Sequence, residues 1–298
     1  MVFMNRKALT RKKKERILGF VLVLPVIFLI ALVIIYPIVY NFRMSFYKVA
    51  LNPARPNVFT GWNNYVKLLT DSEFYIVLLT TILFVAVSVT SSTSLGLIVA
   101  LLFNRRFPLR GIARSLILLS YVTPMISLVY VWRYMFNPVY GVVNYVLVDK
   151  IRLFSQIPAW FDHKVWAFVM VVVFDTWRLF PYAFMMFLAA LQTIDESLGE
   201  AAEIDGAGAW SKFRYIIIPE IQPVIVSVVT LRMIWNFYKF DDIYLLTQQV
   251  PVLGVYLYKT AFASNDFGLA SAITVIMFII VMSLVFVLRK AVFRKNEA

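Results

Sequence analysis

Long apolar runs separated by short polar stretches dominate this chain. The runs cover Ile17–Tyr40, Phe74–Phe103, Ile112–Met135, Val165–Leu191, Pro223–Leu246 and Phe267–Leu288. Each matches or exceeds the roughly 20 residues that a helix needs to cross a hydrocarbon layer of about 30 Å. Lipid offers the backbone no hydrogen-bond partner, so each run is predicted to be helical. The alternating pattern of barrel strands is absent. The predicted fold is an all-α membrane protein with six transmembrane helices.

Composition agrees with this pattern. Of 298 residues, 61% are hydrophobic and 15% charged, against about 45–50% and 25% in soluble domains. There is no cysteine and one histidine, His163. That excludes disulfides, thiolate and polyhistidine metal sites and a thiol nucleophile. The net charge of +13 invites a nucleic-acid reading, but its distribution argues against one. The tail before the first run holds Arg6, Lys7, Arg11, Lys12, Lys13, Lys14 and Arg16. Arg105, Arg106, Arg110 and Arg114 follow the second run, Lys212 and Arg214 the fourth, and Arg289, Lys290, Arg294 and Lys295 the sixth. The opposite loops hold fewer, namely Lys48, Arg55, Lys67, Lys150, Arg152, Lys164 and Lys259. Basic residues gather on the cytoplasmic side, where anionic headgroups attract them. Both termini and the loop 192–222 are therefore expected in the cytoplasm, with membrane lipid rather than nucleic acid as the partner. The first run is too long for a cleaved signal segment and is expected to remain as a span.

The loop 192–222 is the most distinctive polar stretch. Thr193-Ile194-Asp195-Glu196 has the form of a capping box, which predicts a short helix from near residue 194. Leu198, Ala201, Ala202, Asp205, Gly208 and Ala209 recur at three- and four-residue steps and give one face of mostly small groups. Gly206 tolerates positive φ and is predicted to end the helix. Glu200 and Glu203 could pair with basic groups of a soluble partner.

Glu200-Ala201-Ala202, three residues, Gly206, nine residues, Ile216, and then Ile218-Pro219 resembles the cytoplasmic "EAA" loop of permease subunits of bacterial and archaeal ABC importers. Ile218 stands where leucine is commoner in that family. The resemblance implies a type I importer permease fold in which Glu200, Ala201, Ala202, Glu203, Asp205, Gly206, Ala207 and Pro219 form a coupling segment. An ATPase dimer moves that segment as a lever, with ATP and Mg bound to the ATPase and no cofactor on this chain. The sequence has no Gly-x-x-x-x-Gly-Lys-Ser/Thr motif of its own, so the chain is expected not to be an enzyme. The resemblance extends further. Tyr36–Phe46, Thr60–Tyr65, Asn137–Asn144, Phe240–Thr247 and Phe267–Ala272 are similar to sugar-type permeases of the carbohydrate and glycerol-phosphate uptake group, in particular the larger maltose-permease-type partner. A second homologous permease and an extracytoplasmic solute-binding protein are implied. Gln248-Gln249-Val250-Pro251 departs from the Gly-Gly-Pro usual at that point. By this reading the chain divides into a basic tail 1–16, a first span with outer loop 17–73, a transmembrane domain 74–289 and a tail 290–298.

Polar groups at membrane depth are costly and mark cavities or ion pairs. Trp177 and Arg178 in the fourth run, and Arg232, Asn236, Tyr238 and Asp241 in the fifth, are candidates for a solute path. Asparagine and charged groups would bond hydroxyls, and the aromatics would stack on a sugar ring. Asp175 could instead pair with Arg178 or Arg232. The excess of basic groups would also suit an anionic solute. A carrier driven by an ion gradient is the rival reading. Such carriers show related halves and helices broken at mid-membrane, and the spans here read as continuous.

Overall fold

The structure, a computed structural model, describes residues 4–293 except Pro53 and Arg106, and for residues 4–12 and 291–293 the backbone alone. The expectations placed on Arg106, Arg294 and Lys295, and on the side chains of Arg6, Lys7, Arg11 and Lys12, lie outside the described residues. In chain order the elements are α1 (Lys13–Met44), β1 (Tyr47–Lys48), β2 (Val58–Phe59), α2 (Asn63–Thr70), α3 (Ser72–Asn104), α4 (Arg110–Val122), α5 (Met125–Met135), α6 (Lys164–Leu191), α7 (Glu196–Ile204), α8 (Ala209–Phe237), α9 (Asp241–Leu246), α10 (Leu253–Tyr258) and α11 (Phe267–Phe293). Among the described residues α1, α3, α6, α8 and α11 are long and apolar enough to cross a membrane, and a sixth is reached if the bent pair α4 and α5 counts as one span.

That break corrects the expectation of a continuous third span. α4 and α5 meet at 95°. Pro124 disfavours the helical region for the residue before it, and Thr123 is extended with ψ 137°. The fifth span is also shifted. Its helix begins at Ala209, passes through Pro219 and Pro223 and stops at Phe237. A π-turn over Phe213–Ile217 comes just before Pro219, and another over Ala31–Ile35 comes just before Pro37. Widening the coil there leaves room for a ring that has no N–H to donate.

The chain forms two compact units. The first contains Met1–Thr70 and Thr260–Val275. In it β1 and β2 pair antiparallel, Tyr47 opposite Phe59. Asn64 Nδ2 donates to the carbonyls of Ser45 and Tyr47 at 2.8 and 3.1 Å. A Cβ on Gly268 would come within 2.1 Å of the Tyr47 carbonyl oxygen, so the start of α11 needs glycine. No residue in the most apolar window of α1 is buried.

The second unit, Asp71–Lys259 with Ile276–Ala298, is built on α3 and α6. Ala100, Ala183, Phe184, Phe187, Ile221 and Val228 form one buried cluster from α3, α6 and α8. A Cβ on Gly96 would meet Ala183 Cβ at 2.6 Å and Phe184 N at 2.8 Å, so α3 and α6 approach with almost nothing between them. Small residues at such a crossing let van der Waals packing replace the hydrophobic drive that lipid does not supply. Ser91 and Thr176 bridge the same pair at 2.6 Å. Pro181 cannot donate to the carbonyl of Trp177 one turn back, and Ser120 Oγ of α4 donates to it instead at 3.2 Å. Gly96→Leu is expected to destabilise the protein by about 2 kcal/mol or more through overpacking. Gly111→Leu, where a Cβ meets nothing within 4 Å, is the control. Unfolding midpoints in detergent should separate the two, and equal midpoints would show that the crossing is not tight.

Candidate functional site

The loop after α6 folds into a short helix, α7, that is capped at both ends. Thr193 is not its cap, which corrects the capping-box expectation. Its hydroxyl donates to the Ala190 carbonyl at 2.8 Å and finishes α6. Asp195 caps α7 instead, accepting from the Ser197 N–H at 2.9 Å. An aspartate two residues before the first free N–H reaches it more directly than Thr193 does. At the other end Gly206 takes φ +78°. The Gly206 N–H bonds the Glu203 carbonyl at 3.0 Å and the Ala207 N–H bonds the Ala202 carbonyl at 2.8 Å. This pair of bonds is a Schellman cap, which closes the last orphan carbonyls of α7. Glu203 then pairs with Lys212 across the turn, which ties α7 to the start of α8.

Lys212 holds the Glu203 carboxyl below its usual range, and the Ser197 N–H does the same for Asp195. Both groups are ionised at neutral pH. The stabilisation they give is lost only as pH falls through the lowered values. Glu200, Ala201 and Asp205 are exposed on α7, Ala202 and Ala207 are half-buried, and Pro219 is exposed in α8. Ile204 is 88% exposed and Trp210 69%. The sequence reading passed over these two, although large apolar residues in an otherwise polar loop are a signal in themselves.

Deeper in the fold, Asp175, Arg232, Asn236 and Lys239 form one buried network. Arg232 Nη2 donates to Asp175 Oδ2 at 2.7 Å and to Ser92 Oγ at 3.2 Å. Its Nη1 donates to Asn236 Oδ1 at 3.3 Å, and Asn236 Nδ2 reaches Asp175 Oδ2 at 3.3 Å. Lys239 bonds the other Asp175 oxygen and lies 2.9 Å from Asp242 Oδ2. Two acids and two bases therefore cancel inside the protein, with Arg232 and Asp175 both 0% exposed. Arg178, one of the two partners expected for Asp175, is not part of this network.

α8 ends at Tyr238, whose ψ of 7° leaves the helical range, and Lys239 and Phe240 form the break before α9. The break opens a cleft of ≈ 360 Å³. Arg178, Asn236, Tyr238 and Asp241 line it, together with the paired Lys239 and Asp242, Met125 of α5 and Trp235. Trp177 stands beside it against Trp132, ring centroids 5.6 Å apart. Arg232 is sealed below, within the ion network. Asn236 is both a network member and a wall of the cleft. Sequence reasoning missed Ser92 as a partner of Arg232 and missed the bridging position of Lys239. The hydroxyl-rich stretch Ser88–Ser94 within an apolar span was the available signal.

Membrane-length helices around a neutralised polar interior, with a capped and exposed loop helix at one end, define a membrane permease. The chain belongs to the family described as Binding-protein-dependent transport system inner membrane component, which matches residues 92–296. It is 54% identical over 271 residues to the inner membrane ABC transporter permease protein YcjO of Escherichia coli, covering 91% of this chain and 92% of that one. It is 34% identical over 286 residues to the trehalose/maltose transport system permease protein MalF of Thermococcus litoralis, covering 94% and 95%. The fold matches a chain of a bacterial ABC transporter that imports the acidic polysaccharide alginate, with TM-score 0.80 at 18% identity over 96% of this chain and 99% of that one. It is thus an ABC permease of the inner membrane and not an enzyme.

Removing one member of a buried ion network strands its partners. Arg232→Gln is expected to cost about 3 kcal/mol or more, and Ser92→Ala less than about 1 kcal/mol. Denaturation of the purified protein in detergent measures both, and equal losses would mean that the guanidinium is not the linchpin.

Proposed function

We propose that this chain forms half of the transmembrane path of an ATP-driven importer for an uncharged di- or oligosaccharide. A second homologous permease supplies the other half. Two copies of a cytoplasmic ATPase, which hold ATP and Mg, drive the pair. An extracytoplasmic binding protein delivers the solute. Both termini and α7 face the cytoplasm. The observation that carries this reading is the capped, exposed helix α7, which joins the two helices whose side chains build the cleft. Glu200, Ala201, Ala202, Asp205 and Gly206 then meet the ATPase, and force on α7 is passed to both α6 and α8.

Relatives named for trehalose, maltose and lactose support the sugar assignment. A structural neighbour solved with an alginate-pentasaccharide-bound periplasmic protein supports the binding-protein partner. The charge balance favours an uncharged solute over glycerol phosphate. Arg232 and Lys239 are neutralised by Asp175 and Asp242, which leaves Arg178 and Asp241 as the opposed charges facing the cleft. A guanidinium that donates and a carboxylate that accepts suit a sugar's paired hydroxyls.

Gly206→Pro is expected to abolish uptake of labelled maltose or trehalose in cells carrying the complete system while membrane insertion is retained. Uptake at the wild-type rate would sink the lever role. Ala202→Cys should cross-link to an ATPase subunit bearing a surface cysteine. Asp241→Asn is expected to raise the half-saturation concentration about tenfold or more, the loss of one charge-assisted hydrogen bond. An unchanged value in concentration-dependent uptake would remove Asp241 from the path.

A further inference from the structure

A second cleft lies at the end of α6 opposite the lever. Its volume is ≈ 540 Å³. One wall is apolar and open, with Ile76 of α3 61% exposed and Val165 and Val169 of α6 64% and 40% exposed. Lys164, the first residue of α6, stands on its rim with Lys259, and Glu73 faces them. Neither lysine has an ion-pair partner among the described residues. The rim is completed by Gln248 and Gln249, the residues that replace the Gly-Gly usual at this point, so the departure adds two amides to the cleft.

Lys164, at the first turn of a span, marks headgroup depth, and Lys259 shares its cleft. Exposed aliphatic side chains immediately deeper are at acyl-chain depth. Two unpaired ammonium groups suit a phosphodiester, a facing carboxylate suits a headgroup amine, and the aliphatic wall suits a hydrocarbon tail. We propose that this cleft seats one glycerophospholipid whose headgroup bears both a phosphate and an ammonium group. Lys164 and Lys259 bond the phosphate and Glu73 the ammonium. The lipid braces the loop 247–251, which Thr247 already fastens to the Phe161 carbonyl at 2.5 Å. The site is placed in the outer leaflet only through the orientation proposed above; its chemistry stands without it.

The test uses the complete importer in nanodiscs of mixed phosphatidylethanolamine, phosphatidylglycerol and phosphatidylcholine, released into native mass spectrometry. The wild type should retain phosphatidylethanolamine enriched about tenfold over the bulk mixture, because only its ammonium can donate a charge-assisted hydrogen bond to Glu73. Lys164→Gln with Lys259→Gln should fall to the bulk ratio with assembly intact, and Glu73→Gln should shift retention toward phosphatidylglycerol. No retained lipid, or equal retention in the double variant, overturns the proposal. So does a Val169→Cys cross-link to the second permease, which would make the cleft a protein interface. The Ala202→Cys cross-link to the ATPase is read on the same preparation. If it forms while the lipid result fails, the permease reading stands and the lipid site falls.

Discussion

A carboxylate in hydrocarbon must be neutralised or the fold does not hold it. Asp175 lies about 16 Å along α6 from Lys164, at about 1.5 Å per residue, and is fully buried. Its two oxygens collect Arg232, Asn236 and Lys239. The first two lie on α8 and the third at its end, while Ser92 joins from α3. One acidic group thus fixes the relative rotation of α6 and α8, because turning either would strand a charge, and Ser92 adds a weaker tie to α3. Apolar packing alone does not give that precision, since lipid tails compete equally for aliphatic surface.

The same two helices are joined at their other ends by α7. α6 closes at Thr193, α7 is capped at both ends, and the Glu203–Lys212 pair delivers the chain into α8. On the proposed coupling role of α7, a push on it would reach two helices that are already tied together through Asp175 and Arg232. The breaks lie elsewhere, at Thr123–Pro124 and at Lys239–Phe240, and both border the cleft. Broken backbone is tolerated at that depth where it lines a cavity, and Lys239 ties one of these breaks to the ion network.

Much of this was legible along the chain. The six spans follow from apolar length, and the turn after α7 from Gly206. The errors have local causes. Ile112–Met135 is one apolar run by length, and Pro124 within it is where the chain bends by 95°. The fifth apolar run opens at Pro223, whereas the helix begins at Ala209 and runs through that proline. Thr193 and Asp195 both offer a cap, and only the backbone geometry chose between them.

The polar interior was the least legible part, for a different reason. Ser92 and Arg232 are 140 positions apart, and Asp175 and Arg232 are 57 apart. No periodicity within one helix encodes such a pairing; it is settled when α3, α6 and α8 pack. From sequence alone the surplus of basic residues would also suit an anionic solute, beside the sugar expected from the resemblance. Packing removes that inference, because a cation that already holds a carboxylate at 2.7 Å has little field left for a ligand. In a membrane protein, then, the charge a cleft offers is the remainder after internal pairing. Here that remainder is one guanidinium and one carboxylate, an arrangement suited to hydroxyls.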